Sequence, residues 1–425
     1  MKTLSLIGAG QRGQFAYAKY VLSNPHRAKC VAVVEPDAYL RNMFVEAHQI
    51  SSDMAFTDCE SFFRAKVQCD AVMICTQDRQ HFDMTMPALA AGYHVLLEKP
   101  MSPDPIECMR MGAYADKYDR VLAICHSLRY TNFFTKLKEL LDGNAIGRLI
   151  SITHNENVGY YHHAHSFTRG NWRRTDESAP MILAKSCHDL DILRWLAGSE
   201  CVRLSSFGNL THFTRADAPE GAAQRCIDGC KVEKDCPYSA LKIYLHTGRR
   251  EWPTNVITNG KETTTENIMA ALQNGPYGRC VYHCDNDVVD DQIVNMAFEN
   301  GVFANFNMCA YTHDISRTIK LMGSRGEIRG HMEKGSIEVY DFATGDMTTH
   351  HIAPSLTGHS GGDSGIMESF LEILETGGKN DGKMSHKLSI DSHLMVFAAE
   401  ESRLTGRVVC MDEFKNRLMQ VPYFS

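Results

Sequence analysis

The sequence predicts an α/β protein: a doubly wound parallel sheet comes first, followed by a second α/β domain with an open, mainly antiparallel sheet. As far as about residue 123, short apolar segments alternate with stretches of helical length, which is the pattern of a doubly wound domain. After about residue 124, strand-like segments follow one another through tight turns such as Gly323–Gly326, which favours antiparallel pairing. A chain of 425 residues is also long for one domain. We therefore divide it into residues 1–123 and residues 124–425.

The apolar segments of the first domain are rich in β-branched and aliphatic residues, as expected of strands buried on both faces of a parallel sheet. The predicted strands are Leu4–Ile7, Cys30–Val34, Ala71–Cys75, His94–Leu97 and Val121–Ile124. The predicted helices between them are Gly13–Leu22, Ala38–His48, Gln80–Ala91 and Pro105–Tyr118.

The second domain combines strands with a few helices and contains a long irregular region. Its predicted strands are Leu149–His154, Val302–Met308, Thr318–Met322 and Ser336–Asp341, and its predicted helices are Phe133–Leu141, Cys187–Leu196, Ile366–Glu375 and Ser389–Leu404. Residues from about 206 to 287 are rich in Gly, Pro, Cys, Thr and Asn. We interpret this Cys-rich region as an insertion in the second domain that could act as a lid.

Composition restricts the class of protein. With 44% hydrophobic and 22% charged residues, the chain has the material for a globular core. A net charge of -7 with interspersed signs offers no basic face for nucleic acid or anionic lipid. No apolar run approaches the ~18 residues that a membrane span needs. Fifteen cysteines without an apolar leader segment predict reduced thiols and a cytoplasmic protein.

A GxGxxG motif, Gly8–Gly13, follows the first predicted strand and opens the first predicted helix. In a Rossmann domain, the first glycine of this motif makes the tight turn and the second lets the backbone approach a pyrophosphate. The third glycine lets the helix pack against the strand. The backbone N–H groups at the helix start then face the phosphates. Gly8, Gly10, Gln11, Arg12 and Gly13 are therefore predicted to bind a dinucleotide.

Glu35 ends the second predicted strand and indicates which dinucleotide this is. A carboxylate at that place accepts hydrogen bonds from the adenosine ribose hydroxyls and repels a 2′-phosphate. The residues that follow are Pro36 and Asp37, not an arginine. The sequence therefore favours NAD over NADP.

Several motifs together resemble the glucose–fructose oxidoreductase/inositol dehydrogenase (Gfo/Idh/MocA) family. Asp70–Thr76, His81 and Ala88–Pro100, which ends in Glu98-Lys99-Pro100, carry the resemblance in the first domain. Further matching segments are Arg129-Tyr130, Gly143–Leu149, His188–Asp191 and Glu400–Arg407. The resemblance implies an NAD-dependent enzyme that acts on sugars, polyols or their derivatives and forms a homodimer or homotetramer through its open sheet. It also implies that Thr76, His81, Glu98 and Lys99 contact the cofactor.

The resemblance places two catalytic candidates, Lys99 and His188. The lysine would lie beside the nicotinamide and the substrate hydroxyl, and a histidine near neutrality suits a general base. Where the family usually has Asp-x-Gly-x-His, this chain has Ala184, Lys185, Ser186 and Cys187 before His188. The usual carboxylate is thus missing, and we assign Lys185, with Lys99, to positioning or polarising the reacting oxygen.

A set of polar and aromatic residues is suited to sugar hydroxyls and supplies the predicted substrate contacts. The set is Arg129, Tyr130, His165, Arg169, Asn171, Trp172, Asp191 and His359. The three histidines His162, His163 and His165 lack the helical i,i+4 spacing or strand alternation of a metal site, so a substrate contact is preferred to a metal there. His359 could equally belong to a turn before a helix capped by Asp363.

Three cysteines in the insertion, Cys226, Cys230 and Cys236, lie close in sequence. They could supply three of the four ligands of a structural zinc, with His212, Cys280 or Cys284 as the fourth. Buried free thiols and an iron–sulfur cluster are the alternatives. A zinc would hold together a region that has little apolar material.

The leading functional hypothesis is an NAD-dependent dehydrogenase that acts on a small carbohydrate substrate, a sugar or a polyol. We expect no nucleic-acid or membrane partner for the protein. One alternative is an NAD-dependent glycoside hydrolase, in which transient oxidation of the sugar permits elimination and the same hydride returns. A second alternative is a regulatory protein that binds NAD and a ligand without turnover.

Overall fold

The computed structural model describes residues 1–353, 361–377 and 382–420, and it contains two sheets. The first has six parallel strands in the order β3-β2-β1-β4-β5-β6. These strands are β1 (Lys2–Ile7), β2 (Ala28–Val34), β3 (Ala55–Phe56), β4 (Ala71–Ile74), β5 (His94–Leu97) and β6 (Leu122–Ile124). The strand order reverses between β1 and β4, so a ligand groove is expected at the carboxyl ends of these two strands. The predicted doubly wound parallel sheet is confirmed.

Helices cover both faces of this sheet. The first helical segment is π-helical over Gly13–Ala18 and continues as α1 (Lys19–Ser23). The others are α2 (Ala38–His48), α3 (Cys59–Ala65), α4 (His81–Ala90) and α5 (Pro105–Tyr118). The Asp37 carboxylate caps α2, and Asp104 caps α5 ahead of the proline in its first turn, so the sequence sets both boundaries locally. The short elements β3 and α3 were not predicted, because two and seven residues leave little periodicity.

The second sheet has nine strands in the order β14-β13-β12-β11-β7-β10-β9-β8-β15, and only β7 and β10 pair in parallel. Its strands are β7 (Leu149–Asn157), β8 (Cys201–Asn209), β9 (Asp291–Phe298), β10 (Phe303–Cys309), β11 (Ser316–Gly323), β12 (Gly326–His331), β13 (Ser336–Asp341), β14 (Met347–His351) and β15 (Val409–Cys410). The predicted open, mainly antiparallel sheet is confirmed.

The remaining α-helices of the described residues belong to the part of the chain after residue 124. They are α6 (Asn132–Asp142), α7 (Tyr160–His163), α8 (Met181–Ala184), α9 (Cys187–Ala197), α10 (Thr254–Ile257), α11 (Thr265–Asn274), α12 (Gly362–Glu375), α13 (His386–Thr405) and α14 (Met411–Met419). Buried apolar side chains from α9 and α13 form one core with the second sheet. None of the helices in the described ranges is long and apolar enough to cross a membrane.

Helix α12 crosses from the second part of the chain onto the first sheet. Its side chains Ile366, Met367 and Phe370 are fully buried in the same core as Leu4 and Leu6 of β1. The two sheets are therefore tied together by the late part of the chain and not only by the connection after β6.

The Cys-rich insertion lies between β8 and β9 and has a core of its own. That core is aromatic and aliphatic, and it includes Phe213, Tyr238, Tyr244, Ile268 and Leu272. The sequence-based expectation that the insertion lacks apolar material is therefore wrong, because its apolar residues are dispersed among polar ones and show no period.

Candidate active site

The glycine turn has the geometry that a dinucleotide requires. Gly8 has φ +90°, and a Cβ there would lie 2.7 Å from the Cys75 carbonyl oxygen. A Cβ on Gly13 would lie 2.2 Å from the Gly8 oxygen, so the helix packs directly on the turn. At Gly10, by contrast, no described atom lies within 4 Å of the Cβ position. This open side of the turn is where a pyrophosphate can approach the backbone, so the residues fit the group.

Glu35 is held beside the glycine turn at the carboxyl end of β2. Its Oε2 accepts a hydrogen bond from the Ala9 N–H at 2.8 Å, and its Oε1 accepts one from the Asp37 N–H at 3.0 Å. The side chain of Arg41 donates to the backbone oxygens of Glu35 and Pro36, at 2.5 and 3.1 Å. A fixed carboxylate at this place suits the ribose of NAD better than a 2′-phosphate.

Arg12 and Glu98, two predicted cofactor contacts, bind each other. Arg12 Nε lies 2.6 Å from Glu98 Oε1, and Arg12 Nη2 lies 2.7 Å from Asp363 Oδ1 on α12. The Tyr17 hydroxyl donates to Glu98 at 2.7 Å. Burial raises the pKa of Glu98, but the charges of Arg12 and Lys99 outweigh it and leave the pKa below its usual value. The Arg12 and Glu98 side chains therefore hold α12 against the first domain. Asp363 pairs with Arg12, and its side chain does not cap α12.

Thr76 and His81 brace the loops at the carboxyl ends of β4 and β5. The buried His81 ring lies between two backbone oxygens, with Nδ1 2.7 Å from that of Pro100 and Nε2 3.2 Å from that of Thr76. The Thr76 hydroxyl contacts the Met84 sulfur at 3.4 Å. His81 thus supports the segment that carries Lys99.

Lys99 joins the first domain to the end of α8. Its Nζ donates to the Ala184 carbonyl oxygen at 2.8 Å, one residue before Lys185. The ring of His188 lies 5.8 Å, centroid to centroid, from that of His126, and both histidines are buried. Burial lowers the pKa of His126 well below its usual value, and the charges of Arg129 and Lys99 add to this effect. The structure therefore brings the three predicted catalytic residues into one region and adds His126, which follows β6.

Behind Lys185 lies a buried network of charges that was not predicted. Lys185 Nζ lies 3.0 Å from Glu156 Oε1 on β7, and Arg317 Nη2 on β11 lies 2.5 Å from Glu156 Oε2. Arg317 Nε also lies 2.8 Å from Asp189 Oδ1, which His154 Nε2 approaches at 2.8 Å. Glu156, His154 and Asp189 are all 0% exposed. The register of the sheet places Glu156 opposite Arg317.

The network gives Lys185 and Glu156 unusual proton affinities. Burial lowers the pKa of Lys185, and the negative charge of Glu156 opposes that shift. Burial raises the pKa of Glu156 in spite of Arg317 and Lys185. A lysine with a lowered pKa is suited to polarising an oxygen and exchanging a proton with it. The carboxylate missing at Ala184 thus has a counterpart in Glu156.

Arg129 and Asp191, both predicted substrate contacts, form a buried ion pair instead. Arg129 is 1% exposed and Asp191 is 0% exposed, and the guanidinium binds the carboxylate through two nitrogens. Asp191 also accepts from Ser392 Oγ at 2.9 Å, so this pair holds α9 against α13. The neighbouring Tyr130 ring lies under Lys383, whose Nζ is 4.6 Å from its centroid.

His165 and Arg169 anchor the insertion and are likewise occupied. His165 Nδ1 lies 2.8 Å from the Tyr244 hydroxyl. The buried Arg169 guanidinium donates to the backbone oxygens of Arg279 and Tyr238, both at 2.7 Å. The side chains of these two residues therefore position the insertion over the second sheet.

The other side chains of the same segment differ in their surroundings. His162 Nδ1 is buried without a hydrogen-bond partner among the described residues, and its ring meets that of Trp252 at 4.8 Å. Asn171 is exposed and lines a cleft of about 330 Å³ together with Gln77 and Asp78, which follow β4. Trp172 packs against the core of the second sheet. His359 lies outside the described residues.

The insertion does not form the predicted metal centre. Within the described ranges, no group of three or more His, Cys, Asp or Glu side chains is disposed to hold a metal ion, so the zinc proposed for Cys226, Cys230 and Cys236 has no support. The Cys226 sulfur accepts from the Ala240 N–H at 3.3 Å and lies 3.8 Å from Arg169 Nη2. All fifteen cysteines are free thiols, but of these three only Cys226 is buried, whereas Cys230 and Cys236 are partly exposed.

Taken together, a glycine turn at a topological switch point, a fixed acidic residue after β2 and a cluster of lysines and histidines are features of the dinucleotide-binding oxidoreductases. Comparison with known proteins identifies the family. The sequence model of the Gfo/Idh/MocA oxidoreductase family, NAD-binding Rossmann fold, matches residues 2–126, and that of its C-terminal α/β domain matches residues 138–411. The chain belongs to this family.

Its relatives include dehydrogenases of ring compounds. The chain is 32% identical to 1-carboxy-3-chloro-3,4-dihydroxycyclohexa-1,5-diene dehydrogenase of Comamonas testosteroni over 56% of this chain and 68% of the relative. It is 27% identical to an inositol 2-dehydrogenase of Corynebacterium glutamicum over 47% of this chain and 55% of the relative. Among solved structures, levoglucosan dehydrogenase in complex with NADH and L-sorbose shares the fold, with a TM-score of 0.71 and 16% identity over 98% of this chain and 100% of that one.

Proposed function

We propose that this protein transfers a hydride between NAD and a hydroxylated carbon of a sugar, a polyol or a related ring compound. The observation that carries the proposal is the hydrogen bond between Lys99 Nζ and the Ala184 oxygen, at 2.8 Å. It sets the lysine at the end of the dinucleotide-binding sheet against the last residue of α8, which Lys185 follows directly and His188 follows in the first turn of α9. A bound nicotinamide supplies the hydride acceptor in the oxidative direction.

In this proposal the side chains divide the remaining work. His188 takes the hydroxyl proton as general base, while Lys99 and Lys185 hydrogen-bond and polarise the reacting oxygen. Glu156 keeps Lys185 in place and charged. His162 and the Trp252 ring offer a polar atom and an apolar face, the combination that binds the two surfaces of a sugar ring.

The proposal is tested by incubating the purified protein with NAD and a panel of sugars, polyols and cyclic diols while NADH absorbance is followed. We expect net NADH formation with at least one compound, and loss of that activity in Lys99→Met but not in the exposed control Lys334→Met. Release of an aryl aglycone without net NADH would favour the glycoside hydrolase. Binding of NAD without any turnover would favour the regulatory protein.

We propose further that two or four copies associate through the open face of the second sheet. Phe207 on β8 and Phe303 on β10 are 60% and 57% exposed there, which is costly for a solitary sheet face. Light scattering after size-exclusion chromatography should give the mass of a dimer or tetramer, and Phe207→Ser combined with Phe303→Ser should lower it. A monomeric wild type would contradict this proposal.

A further inference from the structure

One segment of the insertion, residues 252–261, reaches toward the adenosine end of the cofactor groove. Tyr39 lies in the first turn of α2, four residues after Glu35, and is 56% exposed. Gly260 lies against this ring, since a Cβ on Gly260 would be 3.5 Å from Tyr39 Cε1. The insertion of the second domain therefore contacts the first domain beside the carboxylate that is expected to bind the ribose.

The same segment begins beside the histidines that follow β7. Trp252 packs edge-on against His162 and His165, with ring centroids 4.8 and 5.6 Å apart, and is 39% exposed. Burial lowers the pKa of His162, and the positive charge of Lys185 lowers it further. Trp252 therefore lies against His162, the side chain that the proposed function assigns to the substrate.

Between its two ends the segment is packed on the core of the insertion. Thr254 and Ile257 of α10 are 0% and 7% exposed. Just before the segment, the Arg249 guanidinium lies 5.1 Å from the centroid of the Tyr161 ring. The segment is thus a fixed part of the fold at its centre, with the exposed Trp252 ring at its start and Gly260 against the exposed Tyr39 ring at its end.

We propose that residues 252–261 form a strap across the NAD groove, with Trp252 beside the nicotinamide end and Gly260 against Tyr39 at the adenosine end, so that NAD is retained between turnovers. The inference rests on the proposed NAD-dependent function. A dinucleotide seated under the strap covers the two exposed rings, which gains burial of apolar surface. The dinucleotide leaves only when the strap lifts from Tyr39, and this step slows dissociation of the cofactor.

The experiment measures release of the cofactor without any substrate. Protein loaded with NADH is passed through a gel-filtration column and then mixed with excess NAD while NADH fluorescence is followed. We expect most of the NADH to stay with the wild type through the column. Tyr39→Ala and Trp252→Ala should each raise the release rate about ten-fold or more, whereas Tyr39→Phe and the distant, exposed control Phe342→Ala should not.

The outcomes separate the strap from the cofactor site itself. Rapid loss of NADH from the wild type, or an unchanged release rate in Trp252→Ala, would overturn the strap while leaving the proposed function intact. No NADH binding by a folded wild type would instead overturn the proposed function. As a second readout, NADH should slow tryptic cleavage after the exposed Arg250 and Lys261, and unchanged cleavage would also contradict closure of the strap.

Discussion

The two ends of the candidate active site use charge in opposite ways. At the cofactor end, Arg12 is paired with the buried carboxylates of Glu98 and Asp363, and the groove itself is formed by backbone. At the substrate end, Lys185 and Glu156 are buried with their pKa values shifted toward each other. Charges that cancel hold a structure together, whereas charges with shifted proton affinity can exchange protons. Substitutions at the first end should therefore change stability or cofactor affinity, and those at the second should change catalysis.

The largest effect is expected from Lys99→Met, which removes the ammonium where the two ends meet. Because Lys99 is proposed to polarise the reacting oxygen, kcat should fall about 10³-fold. The NADH dissociation constant should stay within about three-fold, since the groove is formed elsewhere. Steady-state kinetics and fluorescence titration check the two values, and a variant with normal kcat would remove Lys99 from the chemistry.

Arg12→Met tests the structural role of charge at the cofactor end. It leaves two buried carboxylates without their cation, so the free energy of unfolding should fall by about 3 kcal/mol in urea titrations. Arg64→Met, which breaks the exposed pair with Glu60, should cost less than about 0.5 kcal/mol.

The loss of unfolding free energy in Arg12→Met should depend on pH in a definite direction. The folded pKa of Glu98 is depressed, so the stability that its charge contributes is present above the unfolded pKa and is lost as the pH falls through the folded pKa. The difference between wild type and Arg12→Met should therefore shrink in acid. A constant difference would show that packing, and not charge, accounts for it.

Glu156→Gln tests the substrate end. Lys185 polarises an oxygen only while it is charged, and Glu156 raises its pKa against the effect of burial. The variant should lower kcat about ten-fold and move the alkaline limb of its pH profile to lower pH by about one unit. The control is Glu327→Gln, whose carboxylate pairs with Lys320 at 2.8 Å elsewhere in the sheet. A profile unchanged in shape would limit Glu156 to a structural role.

The smallest effect should come from Gly10→Ala, which separates binding from folding at the cofactor end. A methyl group there meets no described atom within 4 Å, so the melting temperature should not change, while the NADH dissociation constant should rise about five-fold. Gly13→Ala places its methyl group 2.2 Å from the Gly8 oxygen and should instead destabilise the fold. Equal losses of stability in the two variants would contradict this distinction.

The cofactor end was largely predictable because its chemistry is local in sequence. The glycine turn, Glu35 and Lys99 each follow a strand that its own apolar residues reveal, and the structure places them around one groove. Arg12 and Glu98 were assigned to the cofactor because their motifs are next to it, whereas the two side chains bind each other, and Arg12 also binds Asp363, 351 residues further along the chain. The direction in which the Arg12 side chain turns depends on the packing of α12 against the first sheet, which local sequence does not specify.

The substrate end was predictable only in part. His188 and Lys185 were found through a motif, but Glu156 and Arg317 lie on two strands and were missed. One signal was available: Ile152, His154 and Glu156 alternate along β7 and are all buried, so a charged residue continues a buried face. The predicted strand ends at His154, two residues short of Glu156, whereas β7 continues to Asn157.

The sequence by itself determined the parallel sheet, the turn that receives a dinucleotide, the preference for NAD and the family. These depend on backbone conformation and strand periodicity, which neighbouring residues dictate. Only the tertiary structure decided that Arg129 and Asp191 bind each other, that Glu156 faces Lys185 and Arg317, and that the insertion touches Tyr39. Such contacts depend on strand register and on packing between distant segments, and the burial that shifts a pKa exists only once those segments have come together.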